Sequence, residues 1–600
     1  MTTFARNIAA LRRRDPTLAD RLEAVQLSPR ITIEAARSGV PTARVSELCL
    51  HSPYDPVREA ETWASQQAET FAADTPLTVL GFGLGHHLRA MTARGFSGTV
   101  IEPDLEILRA ALEQGDLTDV LDRFTLLAGV PDDLIRRRHQ GLLTGNVAGH
   151  PASLRVNEGL LGRLQRHAAG LAVMATGKLR ILVVNPIYGG SLPTAHHCIR
   201  ALRALGHQVF TFESEAFARA MDFTKTFQFT SSRRAFDGGL TSLLSQGVEI
   251  RARETRPDLI LALAQAPILP QTMQNLEQRG IPTAFWFVED YRVLTYWRDT
   301  APYCSWFFGI QKDSFAQELA AIGMERYSYL PTCAAPDVHR PLELTPAQRN
   351  EFGSRLSFVG AGYFNRRVFF KGLTDYDLKI WGSEWPILFP LASHIQRNAA
   401  RIDTEDCVRI FNASEVNLNL HSSLTCDGVV PDGDFVNPRA FEIPACGAFQ
   451  LVDHRQLLPE LFDAGEVETF TNLAEAREKI DRFLAAPDDR RAVAARARRR
   501  VLEEHTYEHR MAELLATMAG AFPHLAERVT ERTERWDGLM ADLDRHEGLA
   551  ALLERLPDRR WFTLGDVLGT IATGKGAISR AERLFLMLQN VEVLWDRIPE

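Results

Sequence analysis

The sequence has few cysteines, no long apolar run and no excess of positive charge. Its seven cysteines form no CxxC pair, which argues against a structural zinc site or a disulfide framework and fits a reducing compartment. No stretch reaches about 18 uninterrupted apolar residues, and the first residues lack the layout of a signal peptide. A net charge of -8 gives no general attraction to nucleic acid or anionic lipid. We therefore predict a cytoplasmic protein with no membrane span and no nucleic-acid partner.

Six hundred residues are too many for a single hydrophobic core. Buried-type strands alternate with helical segments in two successive regions, which is typical of doubly wound parallel sheets. The predicted fold class is therefore α/β, with two tandem Rossmann-like domains, a further Rossmann-like domain before them and a helical segment after them. The predicted boundaries are 1–172, 178–335, 345–520 and 521–600. Within these regions we expect helical stretches over 8–25, 532–556 and 578–593.

Two tandem domains of this kind leave a cleft between the facing C-terminal ends of their strands, where ligands bind. In the segment 437–453, Arg439 and Glu442 open a short apolar helix that is expected to end at Gly447. A carboxylate in the first helical turn can accept both hydroxyls of a ribose, and a helix N-terminus attracts phosphate. We therefore predict a nucleotide-sugar donor site that includes Asn437, Arg439, Glu442 and Gly447. The alternative is an ordinary αβ unit with a capping glutamate.

A second glycine-rich segment, 358–367, follows a predicted strand. Glycines such as Gly360 and Gly362 let a phosphate approach the backbone, and Arg366 and Arg367 supply charged forks. Together with Arg439 they are predicted to hold a diphosphate. The alternative is that both arginines are simply solvated.

Candidate bases lie in the region 178–335. Glu289 and Asp290 follow a strand and are predicted to accept the proton of an acceptor hydroxyl, although they could instead be capping acids. His196, with His197, is a second candidate early in the helix that follows Gly189 and Gly190. These two glycines are predicted to form a close-approach loop beside the donor or acceptor.

The first region carries Gly81-x-Gly83-x-Gly85, with Glu102 after the next strand. This spacing is the fingerprint of a dinucleotide or S-adenosylmethionine site. No Asn/Asp-Pro-Pro-Tyr type motif follows, so an accessory domain is expected.

The segments 437–453 and 358–367 together resemble CgeB-like GT-B glycosyltransferases, whose patterns run roughly R-x-F-E-x-x-A-C-G and FVGxxYxxR. The segments 286–291 and 329–332 resemble the N-terminal domain of that family. The resemblance implies transfer of a sugar from a nucleotide-sugar, UDP- or GDP-linked, to a protein or glycan acceptor, with no required cofactor or metal. Asp434 and Glu442 echo an E-x7-E pair of retaining GT-B enzymes, but the loop at Asp434 departs from that pattern, so its role is not carried over. Asp432 and Asp434 also have the D-x-D form of metal-dependent transferases, which we interpret as coincidence.

The segments 50–60, 81–88 and 101–104 resemble the methyltransferase-like domain of flagellin-modifying Maf transferases and their pterin pyrophosphokinase-like relatives. This resemblance implies flagellin as one candidate acceptor. Two alternatives stay open: an S-adenosylmethionine-dependent methyltransferase acting through the first domain, and a nucleotide- or sugar-binding scaffold without turnover.

Overall fold

The computed structural model describes residues 1–424, 426–542, 548–556, 562 and 564–595. Its first region contains a small antiparallel sheet of β1 (Ile31–Ala35), β2 (Pro41–Val45) and β3 (Leu48–Cys49). A parallel sheet follows, with β4 (Leu77–Leu80), β5 (Gly98–Glu102), β6 (Phe124–Ala128) and β7 (Asn146–Gly149) in the order β6-β5-β4-β7. The helices are α1 (Thr3–Arg12), α2 (Pro16–Ala24), α3 (Pro56–Thr70), α4 (His86–Ala93), α5 (Leu105–Gln114), α6 (Thr118–Arg123), α7 (Asp132–Arg138), α8 (Gln140–Thr144), α9 (Pro151–Val156) and α10 (Arg163–Thr176).

The second region is a six-stranded parallel sheet whose central strands are buried on both faces, as expected when helices cover both sides. Its strands are β8 (Arg180–Val184), β9 (Gln208–Phe212), β10 (Leu259–Leu263), β11 (Thr283–Phe287), β12 (Trp306–Gly309) and β13 (Tyr327–Tyr329), in the order β13-β12-β11-β10-β8-β9. Its helices are α11 (Ser191–Ala204), α12 (Ala218–Thr224), α13 (Thr230–Thr255), α14 (Pro270–Gln278), α15 (Trp297–Thr300) and α16 (Asp313–Ala321). We call this region the acceptor-side half.

The third region, which we call the donor-side half, is a five-stranded parallel sheet. Its strands are β14 (Leu356–Val359), β15 (Leu378–Trp381), β16 (Val416–Asn419), β17 (Gln450–Asp453) and β18 (Glu468–Phe470), in the order β15-β14-β16-β17-β18. Its helices are α17 (Pro346–Phe352), α18 (Phe364–Phe369), α19 (Thr404–Ala413), α20 (Arg439–Ala445), α21 (Leu458–Leu461), α22 (Leu473–Ala485) and α23 (Pro487–Glu504). The predicted α/β class with tandem parallel sheets is confirmed.

The chain then crosses back to the acceptor-side half. Helix α24 (Tyr507–Ala521) places Tyr507, Met511 and Leu514 in the same hydrophobic core as β8, β10 and β11. The predicted boundary at 520 would group this helix with the donor-side half, whereas its apolar face fills the core of the other half. The remaining helices are α25 (Pro523–Asp542), α26 (Leu549–Glu554), α27 (Leu564–Thr573) and α28 (Arg580–Trp595); part of the predicted helix over 532–556, at 543–547, lies outside the described residues.

The two segments that join the halves run side by side. The backbone N–H of Ala334 donates to the carbonyl of His505 over 3.0 Å, and that of Tyr507 donates to the carbonyl of Ala334 over 3.1 Å. The guanidinium of Arg510 also donates to the carbonyl of Pro331, over 2.9 Å. The linker segment 331–334 and the crossover segment 505–510 are therefore bonded to each other, and we call the two together the hinge.

Helix α10 runs through the predicted boundary at 172 and packs closely on α24. A Cβ on Gly170 would lie 1.9 Å from the carbonyl oxygen of Ala516, and one on Gly520 would lie 2.0 Å from that of Arg166. Glycine at both positions allows the two backbones to touch. Across the part of the chain that the structure describes, no helix has the length and apolarity needed to cross a membrane.

Candidate functional site

The loops at the C-terminal strand ends of the two halves contact each other, at the place where the sequence predicts a cleft. Arg401 of the donor-side half donates to the carbonyl of Gly189, which follows β8 in the acceptor-side half, over 2.9 Å. The loops after β11 and β12 also bond to the donor-side half, as described below. Both sheets therefore present the edge at which parallel α/β sheets bind ligands.

Glu442 lies in the first turn of α20 and is 7% exposed. It accepts a hydrogen bond from Arg439, the first residue of the same helix. Its Oε1 is 3.7 Å from Nε2 of His339, a buried residue of the interdomain linker. Burial alone would raise the pKa of Glu442, but the charges of Arg439 and His339 hold that pKa below its usual value. Glu442 is therefore a carboxylate beside the cleft.

Of the two adjacent histidines on α11, His197 is the one that faces Glu442. The His197 ring lies 5.4 Å from that of His339, and Glu442 is among the charges that act on it. Burial lowers the pKa of His197 to about 4. His196 instead is exposed and pairs with Glu215 over 3.2 Å. Because neighbouring residues point about 100° apart around a helix, the two side chains have different surroundings, and the role of His196 as a base stays a prediction.

The two acids after β11 have different partners. Oε1 of Glu289 accepts a hydrogen bond from Ser191 at the start of α11, over 3.1 Å, and burial raises the pKa of Glu289. Glu289 is also among the charges that raise the pKa of Tyr363 in the donor-side half, after burial as the main cause. Oδ1 of Asp290 accepts from Gln311 over 3.1 Å and from the backbone N–H of Arg292. Glu289 is thus the acid better suited to take up a proton.

Arg366 is a buried residue, 8% exposed, on the short helix α18 that follows β14. It donates to the carbonyls of Leu420 and Ala361, over 2.8 and 3.0 Å. Burial lowers its pKa to about 10, and among the described residues no carboxylate lies within 4.0 Å of its nitrogens. A buried cation without a paired anion is costly, so this position suits an anionic ligand.

The other predicted residues of this loop hold its shape. Arg367 donates to the carbonyls of Gly362 and Glu384. A Cβ on Gly362 would lie 2.7 Å from the Glu384 carbonyl oxygen, and one on Gly360 would lie 2.9 Å from the Phe358 ring. These glycines therefore allow close packing within the loop, and Arg367 positions the loop.

The remaining donor-site predictions fall in different places. Asn437 exchanges side-chain hydrogen bonds with Asn419 and accepts from the backbone N–H of Ala440. Gly447 has φ 71° just after the last turn of α20, which is a helix-ending role at the far end from Glu442. Gly189 has a φ of 101°, and a Cβ there would lie 2.6 Å from the side-chain oxygen of Gln265. A Cβ on Gly190 would meet nothing within 4 Å. Of these four residues, Gly190 borders open space at the start of α11.

Asp434 belongs to a contact between the halves, which we call the latch. Both its carboxylate oxygens accept from the Arg292 guanidinium over 2.9 Å, and Gln311, which also bonds Asp290, donates to Asp434 over 2.9 Å. Burial would raise the pKa of Asp434, but Arg292 and Gln311 lower it. Asp434 therefore connects the two halves directly.

The glycine loop of the first domain is bonded within that domain. The backbone N–H of Phe82 donates to Glu102 over 2.8 Å, and that of Leu84 donates to Nε2 of His51 over 2.8 Å. Glu102 is 1% exposed, and burial raises its pKa to about 7. The acid of the predicted fingerprint thus bonds to its own glycine loop, and this arrangement gives no support to a dinucleotide or S-adenosylmethionine site there.

His51, His87 and His150 form a buried cluster in which one nitrogen of each lies within 4.8 Å of the others. The rings of His87 and His150 are stacked, with centroids 4.0 Å apart and planes 2° apart. Two parallel rings cannot both direct an in-plane lone pair at a single ion, and His51 Nε2 already accepts from Leu84. As arranged, the cluster is a packed group of imidazoles rather than a formed metal site.

Acidification is expected to destabilise the first domain. Burial and the charge of His51 lower the pKa of His86 to about 4, although Glu59 opposes this, and burial lowers the pKa values of His87 and His150 well below their usual value. The unfolded chain takes up these protons below about pH 6.5 while the folded chain does not, so stability falls as pH drops from about 6.5 towards 4. Melting curves between pH 7.5 and 5 measure this, and His86→Asn should flatten the slope. Identical slopes for variant and wild type would contradict the assignment.

Three residues of this site were not predicted from the sequence: His339, Arg292 and Gln311. His197 carried a signal, because Thr194, Cys198 and Ala201 mark the buried face of α11. Arg292 and Gln311 meet Asp434 across more than a hundred residues, and no local pattern reports such a pairing.

With this geometry in place, the class of protein can be stated. Residues 366–516 match a family model described as Glycosyl transferase-like. The match begins at Arg366, includes Arg439 and Glu442, and ends within α24. It supports an enzyme of the glycosyltransferase type, as the sequence predicted.

Individual relatives are more distant. The spore protein CgeB of Bacillus subtilis (strain 168) is 22% identical over 273 residues, which cover 44% of this chain and 83% of that protein. Among solved structures, Anabaena Alr3699/HepE in complex with UDP-glucose is 13% identical, with a TM-score of 0.39 over 57% of this chain and 99% of that chain. A glycosyltransferase from Rickettsia africae ESF-5 is 12% identical, with a TM-score of 0.40 over 58% of this chain and 98% of that chain.

Proposed function

We propose that this chain transfers a sugar from a nucleotide-sugar, UDP- or GDP-linked, to a protein or glycan acceptor in the cleft between its two halves. The observation that carries the proposal is the buried guanidinium of Arg366, which has no paired carboxylate among the described residues and lies where a Rossmann-like sheet binds ligands. A diphosphate supplies the missing negative charge. Arg439 adds a second guanidinium, and Glu442 accepts the ribose hydroxyls.

In the proposed reaction, Glu289 accepts the proton of the acceptor hydroxyl. The acceptor oxygen forms a bond to the anomeric carbon of the sugar, and the bond from that carbon to the diphosphate breaks. The nucleoside diphosphate leaves with the electron pair, and Arg366 and Arg439 stabilise its charge. Burial raises the pKa of Glu289, which brings this carboxylate closer to the pH at which a general base is effective.

A donor screen tests the proposal. Nucleotide release and thermal stabilisation are measured with UDP-, GDP-, CMP- and dTDP-linked sugars, with S-adenosylmethionine as the comparison ligand. We expect one nucleotide class to stabilise the protein and to be turned over. Stabilisation by S-adenosylmethionine alone would favour the methyltransferase alternative, and nucleotide binding without release would favour the scaffold.

We expect turnover to persist in the presence of EDTA. Both carboxylate oxygens of Asp434 are bonded to Arg292, so a metal at Asp432 and Asp434 would have to displace that guanidinium. Guanidinium groups can offset the charge of the leaving diphosphate in place of an ion. Nucleotide release measured with and without EDTA checks this; loss of release that manganese restores would instead support a metal at these two residues.

A further inference from the structure

Helix α7 of the first domain is strongly charged, with the sequence DDLIRRR, yet it is largely buried. The side chains of Asp133, Arg136 and Arg137 are 10%, 6% and 2% exposed. Charged residues are rarely this buried unless they are paired. Other parts of the chain therefore enclose the helix and supply its partners.

One of these partners connects all three sheet-containing regions. Lys312, in the loop after β12 of the acceptor-side half, has its Nζ 2.6 Å from Oδ2 of Asp133. The same ammonium bonds to Glu460 of α21 in the donor-side half. Burial would raise the pKa of Asp133, but Arg137 and Lys312 hold it well below its usual range. The residue before Lys312 is Gln311 of the latch, so the first domain bonds to the chain one residue away from that contact.

Arg138, at the end of α7, binds the donor-side half and the hinge. Its Nη1 lies 2.9 Å from Oδ1 of Asp463, and its Nη2 donates to the carbonyl of Glu460 over 3.2 Å. Its Nε lies 3.6 Å from Oε2 of Glu504, the last residue of α23 before the crossover. Arg138 thus contacts the donor-side half next to the crossover, where the chain returns to the acceptor-side half.

We propose that helix α7 holds the two halves of the cleft at their working separation, with Asp133 and Arg138 as positioning residues for the reaction. This inference rests on the proposed function. The chain passes between the halves at the linker and the crossover of the hinge, and the latch and the bond from Arg401 to Gly189 also connect them. Rotation at the hinge opens or closes the cleft. By bonding Lys312 on one side and Asp463 and Glu504 on the other, α7 restrains that rotation.

By restraining this rotation, α7 raises the affinity of the protein for its ligand, although α7 itself does not contact the ligand. If only a fraction of molecules holds the binding-competent separation, the apparent Kd rises in inverse proportion to that fraction. Removing the α7 contacts is therefore expected to weaken nucleotide binding and raise the donor KM more than it lowers kcat.

The test uses the full chain with Arg138→Glu, which places a negative charge beside Asp463 and Glu504. We expect UDP affinity, measured by calorimetry, to fall by roughly 3- to 10-fold. Hydrogen exchange should accelerate in peptides that contain Arg292 and Asp434, with the sheet β4–β7 unchanged. Arg138→Lys should restore both properties, and Arg13→Glu, whose side chain is 67% exposed in the wild type, serves as the matched charge control.

A folded Arg138→Glu protein with wild-type UDP affinity and wild-type exchange at the latch would overturn the inference. A loss of affinity in Arg13→Glu as well would also overturn it, because the effect would then be one of charge alone. If the wild type binds no nucleotide, the proposed function fails, whereas the exchange measurement still decides the role of α7.

Discussion

Replacing Glu442 with alanine should weaken UDP binding by about 1–3 kcal/mol through the loss of charged hydrogen bonds, which is roughly a 5- to 150-fold rise in Kd. The carboxylate lies beside the cleft and is held charged by Arg439 and His339. Calorimetry with UDP measures the change. The variant should also melt at a lower temperature, because Arg439 loses the carboxylate with which it pairs.

Two companion variants separate binding from folding. Glu442→Gln keeps the shape of the side chain without its charge and should retain more thermal stability than Glu442→Ala. Glu405→Gln removes an acid that is 80% exposed on α19 and should leave affinity unchanged. Wild-type affinity in a folded Glu442→Ala protein would remove Glu442 from the site.

Replacing Arg366 with methionine should reduce UDP affinity by about 3 kcal/mol or more, since two charge-assisted hydrogen bonds to phosphate contribute about 1.5–3 kcal/mol each. The free protein should behave differently. The substitution removes a buried cation that has no carboxylate within 4.0 Å in the described part of the chain, and this gain offsets the loss of its bonds to Leu420 and Ala361. We therefore expect a melting temperature close to that of the wild type.

A loss of UDP affinity with an unchanged melting temperature distinguishes a ligand-binding arginine from a structural one. A structural Arg366 would lower the melting temperature and leave the affinity of the folded fraction intact, which would contradict the prediction. Arg366→Lys should show intermediate affinity, because an ammonium lacks the fork that binds two oxygens. Arg355→Gln, on an exposed side chain of the same half, is the matched control.

The longer strands of both halves could be predicted to within about a residue, but the three-residue edge strands β13 and β18 were not predicted. Runs such as 356–359 and 416–420 are short, rich in apolar residues and flanked by turn residues, and parallel strands buried on both faces have this pattern. The helical stretch predicted over 8–25 is two helices, α1 and α2, because Asp15 caps the second and Pro16 begins it. That break was visible in the sequence as a cap followed by proline.

Other features of the fold could not be predicted from local sequence patterns. The apolar face of α24 shows that the helix is buried but not which sheet it covers, and it covers β8, β10 and β11 rather than the sheet that precedes it in the chain. The charges of α7 have the pattern of a solvated helix, and their burial depends on Lys312, Asp463 and Glu504 from distant segments. Glu442 and Arg366 could be singled out from the sequence because the motifs that contain them are short and continuous, and their roles in binding a donor stay predictions.

The return of α24 to the acceptor-side half has a consequence for synthesis of the protein on the ribosome. The strands from β8 to β13 emerge early, yet the side chains of Tyr507, Met511 and Leu514 that complete their core are translated only after the whole donor-side half. Domains that fold as units during synthesis generally bury their apolar surface as they emerge. The acceptor-side half instead keeps an apolar face of its sheet exposed until α24 has been made. We therefore expect newly made chains to depend on chaperones until residue 521 has left the exit tunnel.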